Sequence, residues 1–293
     1  MKIGWNGKIM RQEEAVISVY DHGFLYGMGL FETFRTYEGE PYLLERHLSR
    51  LSAGCESLGI RCRLDAAELR SWLRELMAVN ELPEAYVRLT ITAGEGVLGL
   101  PAGDYEQPNM LLLVKALPAA SPSLYVEGRE LVQLRTRRNT PEGEVRLKSL
   151  HYMNNIIAKR ELAATGGAAP GAEGLMLTRE GWLAEGIVSN LFFACGGVLY
   201  TPSIETGILP GITRGRVIEL AAGLPAATAV KEGFYTWSDL QEADEVWVTN
   251  SIQELVPVTT IRDESGRCRR VGNGQSGPIT RELLSAYRED TKR

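Results

Sequence analysis

Leu30-Phe31-Glu32-Thr33-Phe34-Arg35-Thr36-Tyr37 follows the period of two that a β-strand needs. Shortly after it, Leu44, Leu48, Leu51, Cys55 and Leu58 fall on one face of a helix over residues 44–58. A strand that hands over at once to an amphipathic helix is the signature of an α+β unit. Outward from this pair, residues 2–5, 8–10 and 41–43 read as further short strands of a meander with Gly-bearing turns. Asp65 is placed to N-cap a second helix running to Val79, and strands are expected over 86–93 and 109–116.

Leu117-Pro118-Ala119-Ala120-Ser121-Pro122-Ser123 sets two prolines among small residues and reads as a linker. The expected organisation is a small N-terminal α+β domain over residues 1–117, a linker over 118–123 and a larger C-terminal domain over 124–293. In the second half, strands are expected near 130–137, 174–178, 190–194, 198–200 and 245–249. Helices are expected over 152–164 and from Thr213. No self-similar period points to a repeat architecture.

The 293 residues carry 32 Lys+Arg against 37 Asp+Glu, a net charge of −5, with 44% hydrophobic residues. Such a balance suits a globular protein and supplies no basic field for nucleic acid or an anionic membrane. The cluster Arg267-Cys268-Arg269-Arg270 is expected in a solvated turn. The best apolar run, from Met110 to Val114, stops at Lys115, far too short to cross a bilayer, and the first residues lack the apolar core of a signal peptide. Cys55, Cys62, Cys195 and Cys268 show no metal-ligand spacing, and the histidines are His22, His47 and His151, so no metal is expected. Reduced thiols and a cytoplasmic location are the expectation.

Gly94-Glu95-Gly96-Val97-Leu98-Gly99 matches a dinucleotide fingerprint, but Leu100-Pro101-Ala102-Gly103-Asp104 breaks a helix where that site would begin one. A glycine-rich loop is expected instead. Lysines are scarce, and Lys148 stands apart in Val145-Arg146-Leu147-Lys148-Ser149-Leu150, an alternating stretch read as a strand just before the helix at 152. A lysine at such a junction can enter a cleft, where desolvation frees its amine to attack a carbonyl; an exposed strand-end lysine is the commoner outcome. Gly207-Ile208-Leu209-Pro210-Gly211-Ile212-Thr213-Arg214 ends at a helix start, whose amides can bind a phosphate dianion or close a routine turn. Glu185 is an acid in the otherwise uncharged Trp182-Leu183-Ala184-Glu185-Gly186-Ile187-Val188-Ser189-Asn190. A Schiff-base lysine, a phosphate site and a charged partner for a pyridine nitrogen are together what pyridoxal phosphate requires.

With those residues in place the chain resembles, along its whole length, the fold-type IV (class IV) pyridoxal-phosphate enzymes. These include branched-chain and D-amino-acid aminotransferases and 4-amino-4-deoxychorismate lyases. The resemblance is carried by Asp21-His22-Gly23-Phe24-Leu25-Tyr26-Gly27, Leu30-Phe31-Glu32-Thr33-Phe34-Arg35 and Glu45-Arg46-His47-Leu48-Ser49-Arg50-Leu51. Arg146-Leu147-Lys148-Ser149-Leu150, Ala184-Glu185-Gly186 with Ser189-Asn190, and Gly211-Ile212-Thr213-Arg214 complete it. It implies a two-domain fold, a small α/β domain plus a larger pseudo-barrel domain, assembled as a homodimer. It also implies pyridoxal 5'-phosphate as cofactor, Lys148 as the Schiff-base lysine and Glu185 as the pyridinium partner, with Ser189 and Asn190 among the cofactor-binding positions. The implied phosphate cup comprises Arg50, the amides of Ile212 and Thr213, the Thr213 hydroxyl and Ser251. His22, where many relatives have arginine, and Met28, where many have aspartate, depart from the pattern near the expected substrate entry.

Within the family, three features resemble the lyases. They are the Asn-containing turn Val248-Thr249-Asn250-Ser251-Ile252-Gln253, the run Arg137-Arg138-Asn139-Thr140-Pro141-Glu142-Gly143 with Tyr152-Met153-Asn154-Asn155, and Ala93 in place of a carboxylate-trapping arginine. The implied reaction converts 4-amino-4-deoxychorismate to 4-aminobenzoate and pyruvate. A substrate with two carboxylates calls for arginines, and Arg35, Arg88 and one of the adjacent Arg137 and Arg138 are the candidates. Tyr26, Phe31, Arg138, Tyr152 and Asn250 join Arg35 and Arg88 as expected substrate contacts. The alternative is a transaminase of D-amino acids or branched-chain amino acids with the same cup. A non-catalytic paralogue is disfavoured by the intact Lys148, Glu185 and Arg50.

Overall fold

A computed structural model of the chain describes residues 1–119 and 121–292. Ala120, in the expected linker, and Arg293, the last residue of the expected second domain, lie outside the described residues. The chain divides into two compact units, Met1–Pro118 with Leu147–His151, and Ala119–Arg146 with Tyr152–Arg293. Lys148 thus belongs to the first unit, whereas the sequence reading sets it in one unbroken domain over 124–293.

The first unit holds β1 (Lys2–Trp5), β2 (Lys8–Arg11), α1 (His22–Tyr26), β3 (Gly29–Tyr37), β4 (Glu40–Pro41), α2 (Leu44–Ser57), α3 (Ala66–Val79), β5 (Tyr86–Thr92) and β6 (Asn109–Lys115). Its antiparallel sheet runs β2-β1-β6-β5-β3-β4. The apolar faces of α2 and α3 cover this sheet, with Leu44, Leu51, Leu73 and Leu76 in one core with Phe34, Leu89 and Leu112. Asp65 does cap α3, accepting from the amides of Ala67 and Glu68. Near its start β3 has β5 on one side, and on the other the segment around Lys148 fills the edge. The Phe31 amide donates to the Lys148 carbonyl at 2.9 Å, and the Leu150 amide donates to Gly29 at 3.0 Å. The expected strand over 145–150 is therefore reduced to a single antiparallel bridge, Leu30 to Ser149. The chain touches β3 for three residues and leaves, too briefly for a ladder.

The second unit is built on a nine-stranded sheet. Its members are β7 (Arg129–Gln133), β8 (Glu173–Leu177), β9 (Leu183–Gly186), β10 (Asn190–Cys195), β11 (Val198–Pro202), β12 (Ala229–Gly233), β13 (Glu245–Asn250), β14 (Glu254–Arg262) and β15 (Cys268–Arg270). The order is β12-β11-β10-β13-β14-β7-β8-β9, with β15 paired to β14. The Leu183 amide of β9 donates to Tyr235 O at 2.7 Å, and Trp182 bridges Thr236, so one end of the order curls back to the segment after β12 at the other. This closure makes the pseudo-barrel. In chain order its helices are α4 (Leu124–Glu127), α5 (Met153–Ala164), α6 (Ile212–Ala221), α7 (Trp237–Gln241) and α8 (Pro278–Asp290). The stretch 94–99 continues as loop, and the basic cluster at 267–270 forms the exposed edge strand β15 rather than a turn alone.

Candidate cofactor and active site

In the second unit, Glu185 is the penultimate residue of β9 and is buried. Arg138 Nε donates to Oε1 at 2.7 Å, the Leu209 amide donates to Oε2 at 3.0 Å, and Asn190 Nδ2 lies 3.4 Å from Oε2. Arg146 Nε stands 3.8 Å away, and burial together with the Arg138 charge pushes the Arg146 guanidinium down to about 10. A carboxylate offers about four acceptor sites, so one direction on Oε1 remains for a further donor. The turn after Glu185 is held by Glu173, which accepts from the Ile187 amide at 2.9 Å and whose carboxyl burial pushes up against the pull of Arg129. Ser189 closes this turn, its hydroxyl buried and without a hydrogen-bond partner among the described residues.

Gly211 precedes α6 and leaves the helix start without a side-chain cap. Thr213, in the first turn, brings its hydroxyl to 3.2 Å from that of Ser251, and no acidic residue lies in that turn. Asn250 accepts from the Ile252 and Gln253 amides at 3.0 and 2.8 Å, which shapes the turn that presents Ser251. Asn250, expected on the substrate, thus turns its side-chain oxygen into its own loop. Asn190 donates to Leu209 O at 2.9 Å and ties Glu185 to the approach of α6.

In the first unit, Lys148 Nζ faces the Phe31 ring, 4.8 Å from its centroid, and Arg88 stacks on the same ring at 3.6 Å. Tyr26 ends α1, and its hydroxyl accepts from the Gly99 amide at 3.0 Å. Arg35 points along β3 to stack on Tyr37 at 4.4 Å, about 13 Å along the strand from Phe31. Arg50, on α2, forks onto Glu32 of β3: Nε donates to Oε1 at 2.8 Å and Nη2 to Oε2 at 2.7 Å. His47 Nδ1 sits 2.6 Å from Glu32 Oε2. Burial alone would raise the Glu32 carboxyl, but Arg50 and the His47 hydrogen bond hold it down at about 2. Burial lowers His47 more than Glu32 raises it, so the ring is neutral and donates.

Arg138, expected on the substrate, is instead consumed by Glu185 and by Asn139 and Asn154 at 2.9 and 2.7 Å, because it is buried beside an acid that needs a counter-charge. Arg137 pairs with Glu264 at 2.7 Å. Tyr152 stands at the N-cap of α5. The structure therefore gathers Phe31, Arg88 and Lys148 around one ring, and Glu185, Ser189, Asn190, Ile212, Thr213 and Ser251 around the β9–α6 region. Sequence reasoning gives no role to Glu32, His47, Arg146 or Glu173. Glu32 does carry a signal: it is an acid between Leu30 and Phe34 on the buried face of β3.

These donors fit a phosphopyridine. Two converging hydroxyls and the amides opening a helix of ten residues suit a phosphate dianion, and a buried carboxylate with an open acceptor direction suits a protonated ring nitrogen. The chain belongs to the amino-transferase class IV family, whose model matches residues 29–261. This is the family of pyridoxal-phosphate enzymes that its motifs resemble. It is 43% identical to a Bacillus subtilis aminodeoxychorismate lyase, covering 98% of this chain and 94% of that one. Among solved structures, it is similar to a 4-amino-4-deoxychorismate lyase from Pseudomonas aeruginosa, with a TM-score of 0.81 at 32% identity and 98% of each chain covered. It is likewise similar to a T.th. branched-chain amino acid aminotransferase with pyridoxamine 5'-phosphate, with a TM-score of 0.85 at 29% identity, covering 99% and 93%.

Proposed function

We propose that the protein is a pyridoxal-phosphate-dependent 4-amino-4-deoxychorismate lyase that forms 4-aminobenzoate and pyruvate. The observation that carries this reading is the 43% identity, over nearly the whole chain, to a protein of that name. The cofactor, when bound, supplies an electron sink for charge developing on the carbon that bears the substrate amine. Lys148 would carry it covalently and then act as general base, taking the proton from that ring carbon. As that proton leaves, the bond from the neighbouring ring carbon to the enolpyruvyl oxygen would break and the ring would become aromatic. The departing enolpyruvate would take up a proton at its methylene carbon, of the kind Lys148 had accepted, to become pyruvate. Glu185, hydrogen-bonded by Arg138, would hold the proton on the pyridine nitrogen. Arg50, the Ile212 and Thr213 amides, and the Thr213 and Ser251 hydroxyls would bind the phosphate, while Ser189 and Asn190 hold the turn around Glu185. Arg88 and Phe31, beside the lysine, are the first choices for substrate recognition, and Ala93 supplies no arginine of the D-amino-acid type.

A homodimer and a cytoplasmic location belong to the same reading. Val16, Ile17, Val19 and Tyr20 are exposed beside Val97, Leu98 and Leu100, and the two stretches are joined by the Gly96 amide donating to Tyr20 O at 3.1 Å. Such an apolar patch calls for a cover, and light scattering should give twice the chain mass. All four cysteines are free thiols, and among the described residues no helix is long and apolar enough to cross a membrane. Activity is tested by incubating cofactor-loaded protein with 4-amino-4-deoxychorismate and quantifying both products. Equimolar 4-aminobenzoate and pyruvate, lost in Lys148→Ala, is the expected result. Neither product, with D-alanine or L-leucine converting the cofactor to its amine form, would make the protein a transaminase.

A further inference from the structure

Glu32 is fully buried on β3, and its neighbours on the same face, Leu30 and Phe34, are core residues. An acid in that position is costly unless paired, and replacing such a pair with apolar side chains is commonly neutral for stability. Its geometry is more specific than burial requires. Both edges of the carboxylate meet the Nε and Nη2 of Arg50 in a planar fork at 2.8 and 2.7 Å, which fixes the plane and direction of the guanidinium. His47 Nδ1, at 2.6 Å from Oε2, fixes the rotation of the carboxylate in turn, and the His47 ring is itself held against Phe34 at 5.2 Å between centroids. All three groups lie in the first unit with Lys148, whose charge is felt at His47.

We propose that Glu32, steadied by His47, is a positioning residue that sets the Arg50 guanidinium for the cofactor phosphate. The inference rests on the reading of Arg50 as a phosphate ligand. An arginine on a helix explores many rotamers, and ordering it in advance moves that loss out of the binding step. A cation needed only to neutralise Glu32 would not need a fork; a lysine would serve.

The test uses the apo protein and two ligands, pyridoxal 5'-phosphate and pyridoxal, with dissociation constants read from tryptophan fluorescence. In the wild type the ratio of the two constants measures what the phosphate contributes. Arg50→Ala is expected to cut that ratio strongly, and Glu32→Gln to cut it by about 10-fold or more, with pyridoxal affinity unchanged within about 2-fold, as for other residues that orient a ligand-binding side chain. An unchanged ratio in Glu32→Gln, or an equal loss for both ligands, overturns the proposal and leaves Glu32 a packing element. An unchanged ratio in Arg50→Ala overturns the phosphate role of Arg50 itself, whatever Glu32 does. If Glu32→Gln does not fold, as judged by its melting curve, Glu32→Asp replaces it. That variant keeps the charge but withdraws the carboxylate by one methylene, and the same selective loss is expected, with an unchanged ratio again overturning the proposal.

Discussion

Gly211→Ala probes whether the helix start and the Glu185 site are one mechanical unit. Gly211 has φ −65° and ψ 137°, a conformation any residue adopts, so the backbone does not ask for glycine. The space does. A Cβ at that position would come nearer than 3.0 Å to Asn190 Oδ1, closer than real Cβ contacts fall. Asn190 cannot step aside cheaply, because its Nδ2 donates to Leu209 O at 2.9 Å and lies 3.4 Å from Glu185 Oε2. The substitution should therefore cost about 1–3 kcal/mol in overpacking and about 1 kcal/mol for a weakened buried hydrogen bond. Urea unfolding of the apo protein measures the sum. Asn190→Ala removes the obstructing oxygen and should itself cost about 1–2 kcal/mol through the unsatisfied Leu209 carbonyl. In that background Gly211→Ala should cost less than about 0.5 kcal/mol, a coupling of at least 1 kcal/mol where independent sites add to within about 0.5. Additive losses would refute the claim that Asn190 is what keeps position 211 a glycine.

Three further outcomes follow from the buried acids. Arg138→Leu strips Glu185 of its 2.7 Å partner and should lower stability by about 3 kcal/mol, the lower end for a broken buried pair because Arg146 and the Leu209 amide remain; a melting curve reads it. Glu32, held at about 2 against an ordinary 4.5, contributes about 3 kcal/mol that is fully present above pH 4.5 and is lost as the pH falls from 4.5 to about 2. The stability gap between wild type and Glu32→Gln should close across that window in urea titrations, and a constant gap would speak against an ionised Glu32. Glu245→Ala should cost about 2 kcal/mol in urea unfolding with cofactor affinity unchanged, since its carboxylate accepts from the Ile279 and Thr280 amides at 3.0 and 2.8 Å and caps α8.

A helix with one dry and one wet face is legible in its spacing. Helix α2 is an example, with Leu44, Leu48, Leu51 and Cys55 buried as its spacing requires. Strand β14 (Glu254–Arg262) is not legible because its Pro257 argues locally against a strand. Helix α8 escapes the sequence reading although its apolar residues are well spaced, its start being marked only by Gly277-Pro278 with the cap supplied by a distant Glu245. The split of Lys148 away from its sequence neighbours depends on two backbone hydrogen bonds to β3, more than a hundred residues away in sequence, and no local pattern encodes them.

The same limit governs the arginines. An arginine's presence is legible, but its partner is not, because the pairs that decide its role are distant in sequence: Arg138 with Glu185, Arg137 with Glu264, Arg50 with Glu32. Two of these acids are buried, and a buried carboxylate claims the nearest guanidinium before any ligand arrives. Arg138, expected on the substrate, thereby serves as a counter-charge for Glu185. Arg88 is held in a different way, by an aromatic face at 3.6 Å, and that face belongs to the ring that Lys148 also meets. Stacking of this kind orients a guanidinium over the ring. Arg88 shares the Phe31 ring with the lysine, and Arg88→Ala should therefore raise KM more than Arg35→Ala does.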